Sequence, residues 1–573
     1  MDTFKFKTPL AETTFRSKYA QGADDTWPNL CRRLVNDVCG DRSLCAKPNT
    51  SPIMSSDDQK QLTQYMIDMK FIPGGRYLYY AGRPISFYNN CFALKAEEDT
   101  REEWGNIVKR ASDCLMSGGG IGVDYSLLRP SGRTLSRTGG ISSGPLPLMS
   151  SVNEIGRNVM QGGSRRSAIY ASLNWQHEDI EMFLNAKDWS DTIKKLKADD
   201  FNFPAPFDMT NMSINWDTAF IKQCWRRGCE VGQIADKMDT GSPVPESQWY
   251  TAPDLWYKSI LKMCQTGEPG HSYNFWENEN DTLRNACTEF TSEDDSDVCN
   301  LGSINLGNIT DLEELKSVVN LASKFLVCGS IRGDLPYDKV RQVREQNRKI
   351  GLGLMGVHEW LLQRGYKYEV NDELKGWLDI WRSESETAAN EWSDRFFINR
   401  PKKYRAIAPA GSIGILASTT TGIEPLYAVA YKRRYLQSGT RWKYQYVIDA
   451  TANRLIETYG IAPEEIETAG RLAIDPERRI KLQYEIQKYV DMAISSTINL
   501  PMWGSDYNNE STASELASTL LRYCHGLRGI TVYPDGSRGG QPLTEVPYED
   551  AKHHVGVIYD EEENRCSGGV CGV

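Results

Sequence analysis

Residues 497–533 read TINLPMWGSDYNNESTASELASTLLRYCHGLRGITVY. Two short runs, Thr497-Ile498-Asn499-Leu500 and Ile530-Thr531-Val532-Tyr533, read as strands on either side of a helical stretch. Thr512 and Glu515 form a capping pair that opens the helix, which is expected to run to Cys524. Gly526 and Gly529 punctuate its end. Strand, helix and strand at this spacing make a βαβ unit, whose strands pair in parallel. Upstream, Ser303-Ile304-Asn305-Leu306 reads as another strand, followed by a helix over residues 312–327. Repetition of such units predicts an α/β fold, either barrel or open sheet.

The chain has 573 residues, more than one hydrophobic core usually serves. Hydrophobic residues make up 40% and charged residues 25%, as in an ordinary globular protein. A net charge of −10 argues against a general nucleic-acid binder. A phosphorylated small molecule would need a local site, such as backbone N–H groups at a glycine-rich turn or helix start. Met1-Asp2-Thr3-Phe4-Lys5 leads into no apolar stretch, so no secretory signal is expected. No run of about 18 apolar residues exists, so no membrane span is expected. The fourteen cysteines are then expected to be thiols in a cytoplasmic protein, most of them small buried hydrophobes.

Three regions follow from composition. Residues 1–70 are partly helical, and their Cys31, Cys39 and Cys45 are spaced too loosely for a zinc knuckle. Residues 71–550 hold the α/β pattern. They include the glycine segments Pro73-Gly74-Gly75-Arg76, Ser117-Gly118-Gly119-Gly120-Ile121-Gly122 and Gly162-Gly163-Ser164-Arg165-Arg166, with an amphipathic helix over Trp104 to Met116. Within them, residues 190–260 are polar and tryptophan-rich and read as an excursion from the core. Residues 551–573 read as a mobile tail: an acidic run, Asp560-Glu561-Glu562-Glu563, then Cys566-Ser567-Gly568-Gly569-Val570-Cys571.

Cys566 and Cys571 have no core to fill, and the loop between them can bend to disulfide distance. A freely closing dithiol suits thiol–disulfide exchange; half a zinc site or two incidental cysteines are the other readings. In Asn285-Ala286-Cys287-Thr288-Glu289, an extended backbone would put amide, thiol and carboxylate on one face. A buried carboxylate there could be tuned as acid or base; the alternative is a polar loop with one buried cysteine. Cys299 in Val298-Cys299-Asn300-Leu301-Gly302, and Cys91 in Asn89-Asn90-Cys91-Phe92, read singly as buried structural thiols. Ala408-Pro409-Ala410-Gly411-Ser412-Ile413-Gly414 resembles a helix start with free N–H groups, a phosphate cradle by mechanism, and equally an ordinary turn.

Together these residues resemble the catalytic subunit of ribonucleotide reductase, over most of the chain from residue 71. The resemblance rests on Asn-x-Cys-x-Glu at 285–289, on Cys-Asn-Leu-Gly-Ser-Ile-Asn-Leu from Cys299, on Asn89-Asn90-Cys91, on the Pro-x-Gly-Ser turn at 409–412 and on the terminal cysteine pair. Arg348-Lys349-Ile350-Gly351-Leu352-Gly353 and Thr421-Gly422-Ile423-Glu424-Pro425 resemble further family segments.

The resemblance implies a ten-stranded α/β barrel made of two antiparallel halves, each of five parallel strands, with a finger loop reaching its centre. It implies that Cys287 carries a thiyl radical, that Glu289 takes the 3′-hydroxyl proton, and that Asn285 holds substrate hydroxyls. Cys91 and Cys299 become the buried reducing pair. Cys566 and Cys571 become the shuttle that a thioredoxin or glutaredoxin-like donor resets. Asn90, Gly119, Gly120, Pro409, Ala410, Gly411, Ser412 and Ile413 would contact a ribonucleoside di- or triphosphate. Asp99 (or Glu98), Arg129, Arg165 and Arg166 would serve dNTP or ATP specificity effectors. No membrane or nucleic-acid partner is implied. A homodimer is expected, because effector sites of many relatives lie between subunits, although residues 190–260 could mimic that interface within one chain.

Family members that use a separate radical subunit carry two adjacent tyrosines on a late barrel strand. Here Tyr533 stands between Val532 and Pro534, and Tyr79-Tyr80 lies at the other end of the chain. The segment resembles the adenosylcobalamin-dependent class. Residues 1–70 show no ATP-cone pattern, so specificity control without an overall activity switch is expected. Two competing readings are a large subunit that needs a metal-containing partner and a non-catalytic nucleotide-binding regulator.

Overall fold

The computed structural model describes residues 4–41, 53–136, 138–159, 167–200, 203–226, 252–275, 280–437, 441–537 and 543–560. Its strands, in chain order, are β1 (Phe71–Pro73), β2 (Cys91–Lys95), β3 (Gly120–Asp124), β4 (Ile169–Asn174), β5 (Thr210–Asp217) and β6 (Gly270–Asn274). The short β7 (Leu283–Arg284) and β8 (Thr291–Ser292) follow, then β9 (Asp297–Asn305) and β10 (Ile350–Met355). Last come β11 (Ala430–Gln437), β12 (Arg441–Ile448), β13 (Thr497–Leu500), β14 (Gly529–Pro534), β15 (Leu543–Glu545) and β16 (Ile558–Asp560).

In the stretch that opened the reading, β13 and β14 pair in parallel with Thr497 opposite Thr531, joined by a helix over Glu510–Tyr523. The cap differs from expectation. Asn509 accepts from the backbone of Ser511 and Thr512, and its own N–H donates to the Thr512 hydroxyl at 2.9 Å. Thr512 is thus the reciprocal third residue of a capping box, not the cap, because the Asn side chain upstream already satisfies the free N–H groups. The helix expected over 312–327 runs from Leu312 to Arg332, and the strand expected at 303–306 begins at Asp297.

The main sheet has ten strands in the order β1-β9-β2-β3-β4-β5-β6-β14-β13, with β10 also on β9. Strands β2 to β6 are mutually parallel. At the two sides of this run, β9 and β14 pair antiparallel to β2 and β6. Strand β9 is long enough to take β2 and β1 in tandem on one edge and β10, in parallel, on the other. Beyond β10, Ile350 and Leu352 donate to the carbonyls of Lys403 and Tyr404, and Ile407 bridges Ile494 in parallel. A separate four-stranded sheet, β15-β11-β12-β16, holds the chain's last described strand. Its β16 and the helix Tyr548–Lys552 lie partly within the stretch expected to be tail, with regular structure through Asp560.

Alternation along each strand sorts the residues onto two faces. Phe92, Leu94, Ile121, Val123, Ile169, Ala171, Leu173, Ile214 and Trp216 face one way and pack under helices such as Arg101–Ser117 and Ala252–Thr266. The other face is small or polar: Cys91, Gly120, Gly122, Tyr170, Ser172, Ser213, Asn215, Ser272 and Asn274. Most of these polar residues are buried, so the face must be covered by something that offers hydrogen bonds. That cover is the β7–β8 hairpin. Among the described residues, no helix is long and apolar enough to cross a membrane.

Candidate active site

The hairpin sits where glycine leaves room. A Cβ on Gly122 would lie 1.8 Å from the Arg284 carbonyl, and one on Gly120 would lie 2.9 Å from the Ala286 side chain. Strand β3 can therefore seat the hairpin because Gly120 and Gly122, which face it, carry no side chain. Arg284, wholly buried, donates to the Asp281 carbonyl within the hairpin and binds the hairpin to the sheet through the carbonyls of Tyr273 and Arg528 and through Asn274 Oδ1 at 2.9 Å. On its other side Lys349 donates to the Thr291 carbonyl and the Ser292 hydroxyl, both at 3.0 Å.

The tip at residues 285–289 is a turn, not the extended segment that period-two alternation would require. Thr288 N–H donates to the Asn285 carbonyl at 3.0 Å, and Thr288 adopts φ 68°. The turn brings Asn285 and Glu289 together by folding the chain back, and leaves Cys287 exposed at its apex. Asn285 Nδ2 donates to Glu289 Oε1 and to Cys91 Sγ, each at 3.0 Å. Cys91 Sγ donates to the same Glu289 oxygen at 3.2 Å. The Phe290 N–H donates to Asn285 Oδ1 at 3.0 Å, which fixes which way the amide points. Glu289 Oε2 is buried and has no hydrogen-bond partner among the described residues.

Cys299 lies directly opposite Cys91 on the neighbouring antiparallel strand. Both thiols are buried in an apolar pocket of Ala93, Leu283, Phe290, Leu301, Ala406 and Met492. Burial pushes the Cys91 thiol well above the usual range, and Glu289, Cys299 and Cys287 add to this. Burial likewise raises Cys299, with Asp297 and Glu289 adding and Lys349 opposing. Burial raises the Glu289 carboxyl too, against the hydrogen bonds from its own backbone, Cys91 and Asn285. The centre thus favours neutral thiols beside a carboxyl that readily holds a proton.

Other expected residues fall into place unevenly. Ala406 and Ala408 line the thiol pocket, so the turn after them starts at its edge. Pro409 and Gly411 are exposed, and Ala410, at φ 54°, opens a short helix over Gly411–Ala417 with no side-chain cap. Ser412 accepts from Lys18 at 3.1 Å, and Ile413 is buried. Asn90 keeps a buried Oδ1 without a partner among the described residues. Gly119 and Gly120 each have a packing reason: a Cβ at 119 would strike the Phe92 ring at 2.1 Å. Asp99, rather than Glu98, meets Arg129, whose Nε donates to its carboxylate at 2.6 Å. Arg165, Arg166, Cys566 and Cys571 lie outside the described residues. Arg284, Lys349 and Gly122 were not singled out from the sequence for this role. The alternation Gly120-x-Gly122 was the available signal for the last.

Residues 89–377 and 399–533 match the family described as ribonucleotide reductase, barrel domain. A vitamin B12-dependent ribonucleoside-diphosphate reductase of Mycobacterium tuberculosis is 26% identical over 98% of this chain and 82% of its own length. A protein of the same name from Thermoplasma acidophilum is 26% identical over 85% of the chain and 66% of its own length. A ribonucleoside-diphosphate reductase large subunit of Danio rerio is 28% identical over 51% of the chain and 40% of its own length.

Proposed function

Since the chain belongs to the ribonucleotide reductase family, we propose that it reduces ribonucleotides to 2′-deoxyribonucleotides by thiyl-radical chemistry that depends on adenosylcobalamin. The observation that carries this reading is the hydrogen-bonded set Asn285, Glu289 and Cys91, with Cys299 opposite Cys91 and Cys287 exposed at the hairpin tip.

We assign the roles on the family resemblance, and the positions of the residues support them. Cys287, the exposed thiol, removes the hydrogen atom from the ribose 3′ carbon and later returns it. Glu289, its carboxyl raised by burial, takes the 3′-hydroxyl proton; its unpartnered Oε2 has an acceptor to offer a substrate hydroxyl. Asn285 orients carboxylate and hydroxyls. Cys91 gives its proton to the departing 2′-hydroxyl. Cys91 and Cys299 then join as a disulfide, so two thiols and a ribonucleotide become a disulfide, a deoxyribonucleotide and water. Residues 409–413 hold the substrate phosphates at an uncapped helix start, with Asn90, Gly119 and Gly120 alongside. Cys566 and Cys571 reopen the disulfide by exchange, and a thioredoxin-like donor resets them.

Adenosylcobalamin fits this set in one respect: Cys287 is exposed while Cys91 and Cys299 are closed off, so a one-electron oxidant can reach the first thiol alone. When bound, it supplies the one-electron chemistry that starts the reaction. The lone Tyr533, followed by Pro534, offers no tyrosine pair for a radical arriving from another subunit. The relatives named as B12-dependent support the same choice.

We further read the ten-stranded sheet as one that closes on itself, with residues 403–408 and 492–500 completing a second five-stranded half. The hydrogen bonds from Ile350, Leu352 and Ile407 to these segments support this. Residues 1–70, 71–550 and 551–573 act as helical base, barrel and redox tail. Asp99, Arg129, Arg165 and Arg166 serve the specificity effector, and the protein works as a homodimer in the cytoplasm. The test is turnover with adenosylcobalamin and no second protein, on diphosphates and triphosphates, one effector at a time. Product formation that requires a second, metal-containing protein would overturn the cofactor assignment.

A further inference from the structure

We propose that Lys349 is a positioning residue for this site: its ammonium straps the base of the β7–β8 hairpin to strand β9 and so fixes where Cys287 stands relative to Cys91 and Cys299. The inference rests on the functional reading above for its consequence, but not for its geometry.

Lys349 is 3% exposed and directly precedes β10. Its ammonium meets two groups of atoms. On the hairpin side are the Thr291 carbonyl and the Ser292 hydroxyl at 3.0 Å, and Asp281 at 3.8 Å. On the strand side is the Asp297 carboxylate at 3.1 Å. The two sides also bind each other, since the Ser292 hydroxyl donates to Asp297 at 2.6 Å; within the hairpin, the Thr291 hydroxyl donates to Asp281 at 3.0 Å and joins its two feet. The aromatic ring of Phe290, which walls the thiol pocket, lies 5.6 Å from the ammonium.

This places one buried cation between two pieces of catalytic chain. Residues 281 and 291–292 are the two feet of the hairpin whose tip carries Cys287 and Glu289. Asp297 lies two residues before Cys299 and on the same side of β9. A lysine bonded only within the hairpin would stabilise it without fixing its height. A lysine bonded only to β9 would leave the hairpin to Arg284 and the glycine seat. Bonding both removes the freedom of the hairpin to slide along the strand, which is the motion that would change the distances from Cys287 to the two thiols.

The experiment uses the full chain and two variants. Lys349→Met leaves Asp281 and Asp297 with less compensating charge, so Lys349→Met/Asp297→Asn is made beside it to limit loss of folding. Hydrogen–deuterium exchange of residues 283–292 and alkylation of Cys287 are read first, turnover second. In both variants, hairpin amides should exchange roughly 10-fold faster or more while β3 to β6 are unchanged. The turnover number should fall on the order of 100-fold with KM held within a factor of two, as expected of a misplaced reacting group. In the double variant, where losing the Lys349 charge and losing the Asp297 charge act on the Cys299 thiol in opposite directions, oxidant-driven closure of Cys91 with Cys299 should stay close to its wild-type rate. Unchanged hairpin exchange in the folded double variant overturns the proposal, and so does loss of Cys91–Cys299 closure in step with turnover. If the hairpin loosens but the wild-type protein reduces no ribonucleotide, the strap stands and the functional reading falls.

Discussion

Cys91 and Cys299 are register partners on antiparallel strands β2 and β9. Directly opposed residues in such a pair have Cα atoms about 4.5–5.5 Å apart, within the span a disulfide bridges. The register alone therefore makes these two cysteines a pair. Closing them under a mild thiol oxidant should leave the strands in place, and peptide mapping should find the Cys91–Cys299 bond. Finding Cys91 joined to a different partner in the native protein would count against the assignment.

Replacement of Cys287 tests the radical role apart from the fold. The thiol is exposed at a turn, so Cys287→Ser should change stability by no more than about 0.5 kcal/mol. It should abolish deoxyribonucleotide formation while leaving effector binding intact. Normal turnover by this variant would remove the basis of the proposed chemistry.

Gly122→Ala probes the seat of the hairpin. The added methyl would stand 1.8 Å from a backbone carbonyl that Arg284 holds in place. Overpacking of this kind costs about 1–3 kcal/mol. A lowered melting temperature, with activity lost more steeply than stability, is expected. Gly105→Ala, where a Cβ meets nothing within 4 Å, is the control.

Burial raises the Glu289 carboxyl in the folded protein. The folded state then binds the proton more tightly than the unfolded chain. Its contribution is fully present below the unfolded carboxyl pKa, about 4.3, and is lost as pH rises through the raised folded value. Glu289→Gln should flatten that part of the melting-temperature profile. The same change should cost on the order of 10²–10⁴-fold in turnover if the carboxylate is the base. A variant with full activity, or an unaltered profile, would argue against the role.

The tail pair is tested by choice of reductant. Cys566→Ser with Cys571→Ser should fail with thioredoxin and still turn over with a small dithiol, which needs no carrier to reach a buried disulfide. Equal loss with both reductants would argue against a shuttle.

Much of the fold is legible in local pattern. The strands at 497–500 and 530–533 and the helix between them follow from alternation, glycine and capping residues within forty positions of one another. The cap shifted to Asn509 because two adjacent segments both carried capping side chains, and only the folded backbone shows which one is used. Around Cys287 the local reading failed for a physical reason. Alternation assumes an extended chain, whereas residues 285–289 turn back with Thr288 at φ 68°. The convergence of Asn285 with Glu289 comes from that turn.

By itself the sequence determined which residue types exist for the chemistry: an amide, a carboxylate and the thiols, set in segments whose order resembles one family. It also determined where side chains are missing, at Gly120 and Gly122. Tertiary structure decided what meets what. The hydrogen bond from Asn285 to Cys91 spans 194 positions, and the Lys349 contacts span more than fifty. No local rule of propensity reaches that far. Strand register put Cys91 against Cys299, and the positions of Gly120 and Gly122, free of side chains, let the β7–β8 hairpin lie against the sheet, where Arg284 anchors it through Asn274.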